Sequence, residues 1–282
     1  MKRLICILLI IMFLSAGCTT LFEVDEEKVK DVSDKVTEAI INTVGQEKAE
    51  KKESRTVDSA GKSTLIVKNS VGDIDIKSHE SDDTIINISI TAKSGSKQKS
   101  EEFIENYNYT LKSEGGAIVV DTSFEEPLSG INLITDLTVY VPSSINNTEV
   151  STNVGTIRLD GLSGNMKIKS NVGDIIIDKS EGSYILKVDV GGITIKDCIA
   201  IGNSESKTNT GKIEISLSDI SKAVSIIAET GVGDIKMSIN DDSGYHATIN
   251  EFMKDERIQT KSDQGTNINL TAGVGEINLT DI

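Results

Sequence analysis

Asn153-Val154-Gly155-Thr156-Ile157-Arg158-Leu159 returns as Asn171-Val172-Gly173-Asp174-Ile175-Ile176-Ile177, and again as Asp189-Val190-Gly191-Gly192-Ile193-Thr194-Ile195. Weaker copies surround Gly72, Gly211, Gly233 and Gly275. Two and four residues after each glycine the side chain is apolar, from Ile74 and Ile76 through Ile157 and Leu159 to Ile277 and Leu279. The residues between are mostly polar: Asp75, Arg158, Thr194, Glu214, Lys236, Asn278. Apolar and polar alternation of period two is a strand with one buried face.

The strand before each glycine alternates as well. Counting back gives Met166, Ile168, Ser170 and Val172, then Tyr184, Leu186, Val188 and Val190. Later copies give Ile226, Ala228, Thr230 and Val232, then Ile268, Leu270, Ala272 and Val274. All are expected to point inward. The parity then breaks at the glycine, which implies a sharp corner between two strands. Ser70, Asn153, Asn171, Asp189, Asn209, Gly231 and Gly273 stand two residues before the glycines. Gly, Asn and Asp are the residues that tolerate positive φ at low cost.

The glycines at 155, 173, 191, 211 and 233 are separated by 18, 18, 20 and 22 residues. Such a period with two short strands per unit predicts an all-β, single-domain β-solenoid or β-roll of stacked two-strand coils. An antiparallel sandwich would share the alternation, but it does not need the same corner at the same offset in every copy.

Asp136-Leu137-Thr138-Val139-Tyr140-Val141-Pro142, followed by the Val-Gly-Asp-Ile units, resembles the bacterial putative adhesin family, over residues 63–282. The resemblance implies a repetitive β domain, often secreted or membrane-attached, with a surface-binding role. It supplies no catalytic residues.

The N-terminus carries a different signal. Met1-Lys2-Arg3 precedes an unbroken apolar run over 4–14, then Ser15-Ala16-Gly17-Cys18. This is a secretory signal with a small-residue cleavage site, too short for a membrane span of about 20 residues. Ala16-Gly17-Cys18 resembles a bacterial lipobox, with Ser15 in place of the usual Leu. The resemblance implies lipidation at Cys18 and an extracytoplasmic, membrane-anchored protein of the cell envelope. The expected organisation is a signal peptide over 1–17, a lipidated tether over 18–60 and the repeat domain over 61–282. Within that domain, 61–141 supplies strands and a cap, and 142–282 the repeats.

Val29, Val32, Val36, Ile40 and Val44 form one apolar stripe and predict a helix over 25–44. It either docks on the body or spaces it from the membrane. Residues 46–55 read as an exposed charged linker or a frayed helix. Strands are expected over 65–76, 84–92, 117–122 and 133–141, with a short helix over 97–106. Residues 241–263 read as an excursion loop carrying Phe252 and Met253.

Losing Lys2 and Arg3 with the signal leaves 27 basic against 44 acidic residues, a net charge near −17. That argues against nucleic acid, which needs basic patches. Only Cys18 and Cys198 remain after processing, so no structural disulfide is expected.

Asp73, Asp174, Asp234 and Glu276 share one repeat position, but Thr156, Gly192 and Lys212 interrupt the series. They read as solvated corner residues, not as a calcium ladder. His79 and His246 lie outside metal or nucleophile spacings, and Cys198 reads as a core or loop residue. The expectation is therefore a non-catalytic protein without cofactor or metal. Its candidate binding face is Arg158, Ile176, Thr194, Glu214, Lys236 and Asn278, one column after the corner. A flat repeated face suits a protein or polysaccharide ligand. Two alternatives stand beside it. One is a structural or sensory accessory of envelope membrane proteins; the other is a β-helical carbohydrate-active enzyme, which would need converging carboxylates.

Overall fold

The computed structural model describes residues 47–281 apart from 125–127, 129, 241, 253, 263 and 264. Cys18, the signal peptide, the expected helix over 25–44 and Met253 lie outside the described residues. The strands are β1 (Glu47–Asp58), β2 (Thr64–Val71), β3 (Ile74–Ser78), β4 (Asp83–Ser94), β5 (Thr110–Glu114), β6 (Ala117–Asp121), β7 (Ile131–Val141), β8 (Asn147–Val154), β9 (Ile157–Asp160) and β10 (Ser163–Val172). They continue with β11 (Ile175–Asp178), β12 (Glu181–Val190), β13 (Ile193–Thr210), β14 (Ile213–Val232), β15 (Ile235–Ile239), β16 (Tyr245–Glu251), β17 (Arg257–Thr260), β18 (Thr266–Val274) and β19 (Ile277–Asp281). Among the described residues there is one helix, α1 (Lys97–Asn106), capped by the Ser96 side chain.

The architecture is all-β, a single 19-stranded sheet nearly closed into a barrel. Strands before the corners form one parallel row: β6, β2, β8, β10, β12, the second halves of β13 and β14, then β18 and β16. Strands after the corners form another: β7, β3, β9, β11, the first halves of β13 and β14, β15 and β19. Because β13 and β14 run through both rows, the rows are one sheet.

The interior is built from columns. Ile157, Ile175, Ile193, Ile213, Ile235 and Ile277 stand in register, all buried. Each such side chain contributes about 1.5–3 kcal/mol. Next to the corner the inward column is small, with hydroxyls at Thr152, Ser170, Thr208 and Thr230 and with Val188 and Ala272 between or beside them. Ser170 Oγ, Thr208 Oγ1 and Thr230 Oγ1 donate to the carbonyls of Gly155, Gly191 and Gly211, at 3.4, 2.9 and 2.9 Å.

The corner corrects one expectation. Val172 does not point inward. It is 46% exposed, and Val154, Val190, Val232 and Val274 are exposed with it. The parity change falls between Ser170 and Ile175, both buried, so the turn takes up the residues between them. Gly173 adopts φ +134° and stacks directly on Gly155, where a Cβ would lie 2.1 Å from the Gly155 carbonyl oxygen. The chain swings outward at the valine to bring the glycines into contact. An exposed apolar residue there mimics the inward pattern in sequence.

Two further expectations are corrected. Residues 47–58 are not linker but strand β1, antiparallel to β4 along its length. An edge strand is held by backbone hydrogen bonds, so it needs no apolar alternation, and its charges suit an edge. Lys51 and Arg55 both pair with Glu53 there. Residues 241–263 are not only an excursion loop. Within them β16 pairs in parallel with β18, and β17 pairs antiparallel with β16. The partner of β16 arrives later in the chain, which hides the strand from local reading. Glu251, at the end of β16, is buried; its carboxylate accepts the Ile277 amide at 2.9 Å and meets Lys254 and Arg257.

Candidate binding face

The six outward residues after the corner stand on neighbouring strands in the expected order. Arg158 pairs with Ile176, Ile176 with Thr194, Thr194 with Glu214, Glu214 with Lys236 and Lys236 with Asn278. Asp75 and Thr138 extend the row in the other direction. Strand spacing puts successive members about 4.8 Å apart. Arg158, Glu214, Lys236 and Asn278 are exposed, whereas Ile176 and Thr194 are half-buried. Arg158 reaches two carboxylates, Asp73 at 3.5 Å and Asp75 at 3.6 Å. Such exposed pairs are worth little in stability, but they hold the guanidinium against the wall. Thr194, Glu214 and Lys236 line a hollow of about 180 Å³ between rungs. Lys236 and Asn278 line a second, with Asp234 and Glu276.

The acidic corner residues have a structural role beyond that of solvated side chains. Asp136 Oδ1 accepts the Asp73 amide at 2.9 Å. Asp73 Oδ1 accepts the Thr156 amide at 2.8 Å, and Asp174 Oδ1 the Gly192 amide at 2.7 Å. Asp234 Oδ1 does the same for Glu276 at 3.0 Å. Each carboxylate caps the corner of the adjacent repeat, and this needs no acidic neighbour in the next copy. A signal existed for three of the four: Asp73, Asp174 and Asp234 each stand one residue after a glycine. Among the described residues no group of three His, Cys, Asp or Glu side chains is placed to hold a metal.

The two histidines are used locally. His79 Nε2 lies 2.7 Å from the Asp83 carbonyl, and His246 Nδ1 lies 2.8 Å from Thr260 Oγ1. Cys198 is buried, with its thiol 3.1 Å from the Lys196 carbonyl. Burial pushes the Cys198 thiol above its ordinary pKa. Tyr184, beside it, is raised for the same reason, and its hydroxyl donates to the Ser180 and Ile199 carbonyls. These groups hold the wall together and do not converge on an open cleft.

No family model matches the chain, and no curated protein matches it. Solved structures do. A putative adhesin from Bacteroides fragilis aligns with a TM-score of 0.45 at 15% identity, covering 82% of this chain and 97% of its own. A putative cell adhesion protein from Clostridium sporogenes aligns at 0.33 and 16% identity, over 83% and 100%. A putative lipid binding protein from Parabacteroides distasonis aligns at 0.38 and 10% identity, over 82% and 96%. At this level of similarity they bear on neither the ligand nor the activity of this chain. Among the described residues no helix is long and apolar enough to cross a membrane.

Proposed function

We propose that the chain is a non-catalytic lipoprotein of the bacterial cell envelope, anchored through Cys18, whose repeats form a β-solenoid that presents an outer face for binding. The solenoid reading draws on parallel pairing at the repeat offset: Val154 with Val172, Val172 with Val190, Val190 with Thr210, and Thr210 with Val232. The observation that carries the binding role is the outward row from Arg158 to Asn278. It offers five polar or charged groups and one isoleucine at one regular spacing across six strands, which suits an extended protein or polysaccharide. Changing Ile176→Ser and Lys236→Glu together is the test. Attachment of the purified protein to isolated envelope material should fall while the variant still folds and melts cooperatively, with only the modest loss of midpoint expected for a half-buried Ile. Undiminished attachment by the folded variant would remove this row from the function. The anchor has its own test: Cys18→Ala should release the protein from the membrane fraction and change its mass. Retention at unchanged mass would refute lipidation.

A further inference from the structure

The strands before the corner carry a second outward row. It runs Lys68, Ser151, Lys169, Lys187, Lys207, Glu229 on successive strands. Two lysines of this region are neutralised in the ordinary way. Lys207 sits between Glu205 at 2.6 Å and Glu229 at 3.1 Å, and Lys167, one outward position back from Lys169, faces Glu149 at 4.0 Å. Lys169 and Lys187 differ. They stand directly opposite each other on β10 and β12, both exposed, and neither forms an ion pair with a described residue. Like charges directly opposite on neighbouring strands are destabilising. The carboxylates nearest to the pair are engaged elsewhere: Asp189 accepts from Asn209, and Glu205 pairs with Lys207.

Back along the same strands, starting at Ile185, two residues before Lys187, and at Asn165, four before Lys169, lies a hollow of about 550 Å³. Its floor includes Gly164 and Gly182, and neither position can hold a side chain. A Cβ would lie 2.0 Å from the Asn146 carbonyl oxygen in the first case and 1.8 Å from that of Gly164 in the second. Asn165, Ser183 and Asn203 supply amide and hydroxyl groups along one edge. They are linked across strands: Asn165 Nδ2 donates to Asn147 Oδ1, and Ser183 Oγ donates to Asn165 Oδ1, both at 3.0 Å. Ile185, half exposed, forms the side toward the lysines and pairs in register with Lys167. Glu181 lines the hollow away from them.

We infer that this face binds an acidic polysaccharide laid across the strands, with its carboxylates on Lys169 and Lys187 and its hydroxyls on the Asn165–Ser183 edge. A sugar ring offers hydroxyls at its rim and an apolar face, which the amide row and Ile185 match. The strand spacing of about 4.8 Å is close to the advance of one sugar along an extended glycan, so successive rungs meet successive units. Glu181 repels the anionic groups and sets them on the lysine side. The remaining negative charge of the body is screened beyond about 8 Å at physiological salt, so the local lysines govern contact.

The inference rests on the binding role proposed above but uses a different face, so the two can fail separately. The assay is affinity electrophoresis of the whole protein at physiological ionic strength through gels holding polygalacturonate, neutral dextran or polyglutamate. Polygalacturonate should retard the protein, and the other two should not. Lys169→Gln with Lys187→Gln should weaken that retardation roughly tenfold or more, as two charge-assisted contacts are lost. The thermal midpoint should hold or rise, because the repulsion is relieved. Equal retardation of this variant, or none of the wild type, overturns the inference. Equal retardation by polyglutamate shows that charge alone is read and overturns the glycan assignment. If polygalacturonate ignores the wild type while Ile176→Ser with Lys236→Glu still abolishes envelope attachment, this inference fails and the broader reading stands.

Discussion

Gly173→Ala should be among the most damaging single methyl additions in the chain. Gly173 holds φ +134°, a backbone conformation that L side chains rarely adopt. That strain alone costs about 1–3 kcal/mol. The new Cβ would also sit 2.1 Å from the Gly155 carbonyl oxygen and 2.6 Å from its carbon. These are backbone atoms of the neighbouring repeat, so no rotamer change relieves the contact. The corner must open, and the Gly155 amide bond to the Val172 carbonyl, 2.9 Å long, is the first to suffer. Strain and clash together should exceed about 3 kcal/mol, or roughly 6–12 °C in thermal midpoint for a domain of this size. Gly61→Ala separates the two causes. Gly61 has φ +70° with nothing within 4 Å of the added Cβ, so only the backbone strain applies. Val172→Asp is the second control, since that side chain is exposed and the change should cost under about 1 kcal/mol. Calorimetry or circular dichroism melting of the three variants decides the matter. If Gly173→Ala melts with Gly61→Ala, glycine stacking does not constrain the corner, and the reasoning fails.

Three other outcomes are expected. Asp174→Ala removes the acceptor of the Gly192 amide and should cost about 1 kcal/mol in chemical denaturation, with Asp174→Asn recovering most of it. Glu251 is held below the ordinary glutamate pKa, first by the Ile277 amide and then by Lys254 and Arg257. A depressed folded pKa means stability that is complete above the unfolded value and is lost as pH falls through the folded one. Acid melts of the wild type should therefore lose stability below the ordinary glutamate range, and Glu251→Gln should flatten that part of the profile. Cys198, buried with a raised thiol pKa, should resist a disulfide reagent at pH near its ordinary range and react on unfolding. Rapid labelling of the folded protein would contradict its place in the core.

The columns after the corner were legible because burial there is uniform. The second and fourth residues after each corner glycine, from Ile157 and Leu159 to Ile277 and Leu279, are apolar and buried. Before the corner the same logic misled at a single position. Val154, Val172 and Val190 continue the apolar alternation in sequence, yet the turn at the glycine starts one step earlier and leaves them outside. The inward place beside them goes to Thr152, Ser170 and Val188, and two of these three look like surface residues in a sequence. Ser170, like Thr208 and Thr230, donates to a glycine carbonyl at the corner, a contact that exists only once two repeats are stacked, whereas the Thr152 hydroxyl is buried without a partner. β1 and β16 were illegible for a related reason. Their partners β4 and β18 are distant or later in the chain; β1 also lacks an apolar period, and the alternation of Tyr245, Ala247 and Ile249 in β16 is only three residues long. The binding faces divide along the same line. The row from Arg158 to Asn278 could be counted from the glycines. The opposed pair Lys169 and Lys187 acquires meaning only when Glu149, Glu205 and Glu229 are seen to neutralise their neighbours and not them. Charge on a repeat protein is thus a property of rungs, not of chain segments. A net acidic sequence can carry a basic rung pair wherever the repeat offset sets lysine against lysine.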